Sequence, residues 1–168
     1  MAVIIPSAHA ADTATIVSHV RTTEPPIAAL LRNAMQQSPV FRELVTQLTE
    51  SDVIVYVKTD RHMPTGLAGH LRFVGSGGGR RYVVVTLAWG CADIRTMATL
   101  GHELRHALEI AERPDIVDAP TLARAFAGFA EQSAYGRSYS FETAAAIEAG
   151  ERVWSEVSQR VGRIARGQ

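Results

Sequence analysis

Residues 99–110 read TLGHELRHALEI, and the rest of the chain is organised around them. Ile94, Met97, Leu100, Leu104, Leu108 and Ile110 recur at helical spacing. Asp93 is a residue type that caps a helix start, and Pro114 follows the end, so the sequence predicts a helix over residues 93–112. On such a helix His102 and His106, four positions apart, stand one above the other on the same face. That places two imidazole nitrogens within reach of one ion. Glu103 lies beside that ion, where a carboxylate can take a proton from water that the ion polarises. The pattern is H-E-x-x-H, which suits zinc held by two histidines with the glutamate as general base. The competing reading is an amphipathic helix whose histidines are incidental, and it predicts no metal uptake.

Working outward, Pro25-Pro26 introduces an expected helix over residues 27–37, with Ile27, Leu30, Leu31 and Ala34 on one side. Ser38-Pro39 breaks it and starts a second helix over 40–49, whose Val40, Phe41, Leu44, Val45 and Leu48 are spaced for a buried face. The β-branched run 53–58 reads as a strand, and residues 59–69 as a polar loop. Two more strands, 70–74 and 81–88, flank the glycine-rich link 75–80. That link suits a hairpin tip: it lacks a Lys-Ser/Thr ending and leads into a strand, so it does not suit a phosphate loop. After the histidine-bearing helix, residues 120–136 read as a helix, 135–140 as a polar, aromatic loop, and 141–164 as a last helix.

With 168 residues, 46% hydrophobic and 20% charged, the chain is long enough for one substantial core. Seventeen basic and 17 acidic residues cancel and no like-charged run appears, which argues against a nucleic-acid partner or a polybasic membrane binder. No apolar stretch approaches the roughly 18 residues of a transmembrane helix. Cys91 is alone, so neither a disulfide framework nor a cysteine zinc site is available.

Residues 1–24 read as a flexible N-terminal tail and 25–168 as one folded domain. Ser7-Ala8-His9-Ala10 resembles the end of an export signal, although the basic start and full apolar segment of a signal peptide are missing. The expectation leans slightly towards an exported protein and otherwise a cytoplasmic one. Little fixed structure is expected over 11–24. The sequence leaves oligomeric state open.

His102-Glu103-Leu104-Arg105-His106, preceded by a small hairpin and followed by a helix with a suitable glutamate, resembles the catalytic core of the zincin metallopeptidases, in the glutamate-ligand (gluzincin, thermolysin-like) branch. The resemblance spans roughly residues 71–150. It implies an α+β, zincin-like single domain with a small antiparallel sheet whose hairpin packs on the active-site helix, and a Zn2+ cofactor with a peptide or protein substrate. It also implies a strand above that helix to bind the substrate main chain, matched here by 81–88, and a third zinc ligand from a later helix.

A catalytic zinc site has three protein ligands and one open position. No histidine follows His106, which removes the branch whose third ligand is a histidine after the motif. Glu142 is the expected ligand, because it opens a helix rich in small residues that can approach closely; Glu131 and then Glu148 are the alternatives. Glu109 lies about 10 Å along the helix from His102 and suits a supporting role to a ligand. Tyr135, Tyr139 or Arg137 would donate to the developing oxyanion. Arg105 is a departure from stricter forms of the motif and is expected in solvent or paired with Glu109. The distance in sequence from His106 to Glu142 exceeds that of the thermolysin group, so the chain would be a divergent member. His62 and His70 read as ordinary surface or strand residues. Peptide deformylase, which takes a cysteine ligand, fits poorly: Cys91 lies only 11 residues before His102 and that family's glycine motif is missing. The alternative function is a zincin-like metal-binding or regulatory domain without catalysis.

Overall fold

A computed structural model describes residues 19–90, 93–127 and 142–165. Within them the chain runs β1 (Val20–Arg21), α1 (Pro25–Gln37), α2 (Pro39–Glu50), β2 (Val53–Asp60), β3 (Gly69–Gly77), β4 (Arg80–Ala88), α3 (Ile94–Ala111), α4 (Ala119–Phe126) and α5 (Ala144–Ala165). This is an α+β arrangement, a four-stranded sheet with helices packed on one face. No described helix is long and apolar enough to cross a membrane.

The sheet is mixed, where an antiparallel one was expected. Its order is β1-β2-β4-β3, with β1 and β4 parallel to β2 and only the β3–β4 hairpin antiparallel. The cause is connectivity. Helices α1 and α2 carry the chain back to the end of the sheet where β1 began, so β2 runs alongside it in the same sense. Residues 61–68 then place β3 one strand away from β2, and β4 fills the slot between them. As a central strand β4 is apolar almost throughout, and Val83, Val85 and Leu87 are completely buried.

The hairpin turn is tighter than the glycine-rich link suggested. Only Gly78 and Gly79 form it, both in the left-handed region at φ 60° and 72°, which is the pairing a two-residue turn of matching twist requires. The strands therefore extend to Gly77 and from Arg80, with a bulge between Phe73 and Gly75.

Ser38 serves both helices beside it. Its amide closes α1 on the Ala34 carbonyl and its hydroxyl accepts from Phe41 N at 3.0 Å, starting α2. That hydroxyl also donates to Glu156 Oε2 at 2.5 Å, fastening α5 to the α1–α2 corner. The short segment before α1 departs from the expected tail. Val20 pairs with Val55, is completely buried, and is preceded by His19, whose Nδ1 donates to the Leu48 carbonyl at 2.8 Å.

Helix α3 runs through the centre of the molecule. Asp93 caps it as expected, accepting from Thr96 N at 3.0 Å. Its Leu100, Leu104 and Ala107 are inaccessible to solvent and face the same core as β4 and α5. Carbonyls at its C-terminus and in the segment that follows accept from Arg81 of the sheet, whose Nη1 lies 2.6 Å from Ile110 O, 2.7 Å from Arg113 O and 3.1 Å from Ile116 O. Asp52 balances the guanidinium through a two-point pair at 2.7 and 2.6 Å. Helix α4 ends at Phe126, while positions 128–136 of the expected helix and the expected loop 135–140 lie outside the described residues; α5 begins at Ala144, three residues later than expected.

Candidate metal centre

The site lies where α3 and α5 cross, and small residues make the crossing close. A Cβ on Gly101 would meet Val153 Cγ2 at 2.8 Å. One on Gly150 would meet the Ala98 carbonyl and His102 Cβ, each at 3.3 Å. A glycine inside a helix costs about 1 kcal/mol against alanine, so its presence directly before His102 marks a place where another element must come near. Gly69 plays the same part for the sheet: a Cβ there would meet Thr99 Cγ2 at 2.7 Å and Glu103 Oε1 at 3.3 Å. The approach at Gly69 seals Glu103 beneath β3, and those at Gly101 and Gly150 bring α5 against the His102 side of α3.

His102 Nε2 and His106 Nε2 face each other at 3.1 Å, with the rings nearly perpendicular at 81°. A Glu142 carboxylate oxygen lies 3.4 Å from His102 Nε2, and one ligand atom from each of the three residues falls within 4.8 Å of the others. Glu142 precedes α5 by two residues, so its carboxylate extends from the connecting segment and not, as expected, from the helix itself.

Supporting contacts set which ring nitrogens carry protons. His106 Nδ1 donates to Glu109 Oε2 at 2.9 Å, which leaves a lone pair on its Nε2. The Ala146 backbone supports His102 from α5. With His102 also protonated on Nδ1, two lone pairs face each other at 3.1 Å, an arrangement suited to sharing a cation. The donor set could hold a divalent cation: tetrahedral ligands about 2.0–2.1 Å from zinc stand about 3.3 Å from one another, close to the 3.1 and 3.4 Å that separate His106 and Glu142 from His102, with all three atoms within 4.8 Å.

The electrostatics are set by burial. Glu103 is 6% exposed, and desolvation, helped by the Glu142 charge and opposed by His106, pushes its carboxyl up to about 7. Burial likewise lowers His102, and the neighbouring His106 adds to that, while Glu142 and Glu109 oppose it. For Glu109, burial acts upward, but hydrogen bonds from His106 and Thr143 outweigh it and hold the carboxyl below its ordinary range. Glu109 thus lies behind His106 in a setting that favours its charged form, the position a supporting residue would take.

Two recesses meet at the histidines. One has an apolar wall of Leu71, Ile110, Leu122 and Phe126 facing the histidines and Glu103; the other is wider and runs past Gly66, Thr99, Ile147 and Glu151. The strand bordering both is β3, through Gly69, and not β4 as the resemblance implied, because β4 occupies the inner slot of the mixed sheet. The His70 side chain alternates to the sheet face away from Gly69 and lies near Lys58 and Arg72, so it does not join the cluster. His62 is exposed near Asp60.

Glu148 is exposed on α5 and lines a different groove, with Glu43 and Arg152. Arg105 pairs with Glu112 at 2.7 Å and not with Glu109, whose carboxylate is turned inward to His106 and Thr143. Cys91, Glu131, Tyr135, Arg137 and Tyr139 lie outside the described residues. Sequence reasoning overlooked Thr143, which links Glu109 to the start of α5; a threonine next to a candidate ligand and three residues before the Ala146 amide was the available signal. Comparisons with protein-family models, with curated proteins and with solved structures found no match to this chain.

Proposed function

We propose that the protein is a zinc-dependent metallopeptidase with a zincin-like fold, in which His102, His106 and Glu142 bind the metal and Glu103 is the general base. The supporting observation is the convergence of two imidazole nitrogens and a carboxylate oxygen within 4.8 Å, with a buried carboxyl of pKa about 7 beside them. Zinc, when bound there, supplies Lewis acidity towards a carbonyl oxygen and lowers the pKa of water to about 7.

The chain's own residues do the rest. Glu109 fixes the His106 tautomer so that Nε2 is free to bind. Glu103, buried beside the histidines, accepts the proton of the attacking water and returns it to the departing amine. Strand β3 pairs with β4 along one edge, and an extended peptide would lie along its other edge, past Gly69, with its scissile carbonyl over the histidines. Tyr135 and Tyr139 are the proposed donors to the oxyanion.

Metal analysis tests the reading. Wild-type protein should carry about one zinc per chain, and His106→Ala should lose it. Glu103→Gln should keep the zinc and abolish peptide hydrolysis. Zinc without turnover on diverse peptides would leave a metal-binding or regulatory domain in place of a peptidase. Absence of zinc from protein purified without chelator would end the metal reading altogether.

A further inference from the structure

The Thr143 hydroxyl joins the two halves of the site. It donates to Glu109 Oε1 at 2.6 Å and accepts from the Ala146 amide at 3.1 Å, where α5 begins. Glu109 Oε2 in turn accepts from His106 Nδ1 at 2.9 Å. A threonine hydroxyl has one proton to donate, and here that proton is committed to the carboxylate. The backbone that presents Glu142 is therefore tied, one residue later, to the carboxylate that orients His106. Thr143, Glu109 and His106 are each no more than 9% exposed, so water competes little for these bonds.

Resting on the zinc reading above, we infer that Thr143 is a positioning residue for the metal centre, its hydroxyl setting the reach of Glu142 and the orientation of His106 together. Helix α3 carries both histidines and Glu109, whereas Glu142 arrives from a separate segment. Helix packing alone brings α5 near through Gly101 and Gly150, but both of those contacts lie C-terminal to Ala146. At the end that bears Glu142, the Thr143–Glu109 bond is a buried side-chain tie between the two elements, beside the Ala146 backbone contact to His102. A residue whose only task was to cap α5 would need the Ala146 contact and no partner on α3.

Zinc affinity by chelator competition, the Co2+ absorption spectrum and the thermal stability of metal-free protein separate these roles. Thr143→Val should weaken zinc binding about 10–100-fold, the range for loss of a partner behind a ligand, and should alter the Co2+ spectrum. Thr143→Ser, which keeps the hydroxyl, should bind as the wild type does. Thr143→Asp retains a capping oxygen but has no proton for Glu109; it should weaken zinc binding whether or not the valine variant folds. In a cycle with Glu109→Gln, the double variant should lose less affinity than the product of the single losses.

Wild-type affinity and an unchanged Co2+ spectrum in Thr143→Val or Thr143→Asp would overturn this inference while leaving the zinc reading intact. So would single losses that multiply in the double variant. Wild-type protein that takes up neither zinc nor Co2+ would overturn both.

Discussion

Replacing Glu103 by glutamine should stabilise the metal-free protein, and only at the higher end of the pH range. In the folded chain burial raises the Glu103 carboxyl from its ordinary 4.5 to about 7. Between those values the folded protein keeps a proton that the unfolded chain has released. Stability is therefore lost as pH rises through that window, and the penalty is complete above about pH 7. At about 1.4 kcal/mol per pH unit, it amounts to about 3 kcal/mol. Glutamine has nearly the same shape and no charge to bury, so the variant escapes this penalty. Urea unfolding in the presence of chelator should show wild type and Glu103→Gln close together at pH 4.5, and the variant more stable by about 3 kcal/mol at pH 8. Saturating zinc should shrink the gap, because a nearby cation favours the carboxylate. A difference that stays constant from pH 4.5 to 8 without metal would refute the claim that Glu103 is held in a desolvated place, and with it the basis for a base of near-neutral pKa.

The other expectations concern the elements that bring the site together. Arg81→Met should cost about 3 kcal/mol in urea unfolding, since it leaves the carbonyls of Ile110 and Ile116 without their shared donor. A loss under 1 kcal/mol would mean that the end of α3 is held by something else. Gly101→Ala gains about 1 kcal/mol of helix propensity but forces a methyl against Val153 Cγ2 at 2.8 Å. Overpacking, at about 1–3 kcal/mol, should win, so the variant should unfold at lower urea and bind zinc more weakly. If it is more stable than wild type, α3 and α5 do not approach as closely as described. Zinc at a free concentration 100 times its Kd should add about 2.7 kcal/mol to wild-type stability and nothing to His106→Ala, as read by thermal denaturation.

Much of this molecule can be read from short-range pattern. Asp93, the helical recurrence of Leu100 and Leu104, and Pro114 mark α3, because a helix repeats every 3.6 residues and its ends need particular side chains. The same local logic places His102 above His106 and isolates the Ser38-Pro39 break. It cannot place strands in a sheet: 81–88 looks like any β-branched run, and only the path of the chain through residues 61–68 puts β4 inside and β3 at the edge. Nor does it reveal that Val20 belongs to the core, since two residues show no periodicity.

The approach of Glu142 to His102 joins positions 40 residues apart and depends on how α5 crosses α3. The pKa of Glu103 has the same origin: an isolated helix would leave that carboxylate in water, and it is desolvated only because Gly69 lets the sheet descend upon it. Sequence alone determined which side chains share a helical face, because covalent geometry repeats along the chain. Tertiary structure decided which groups from distant segments converge, and how far water is kept from them, because both depend on every element that packs around the site.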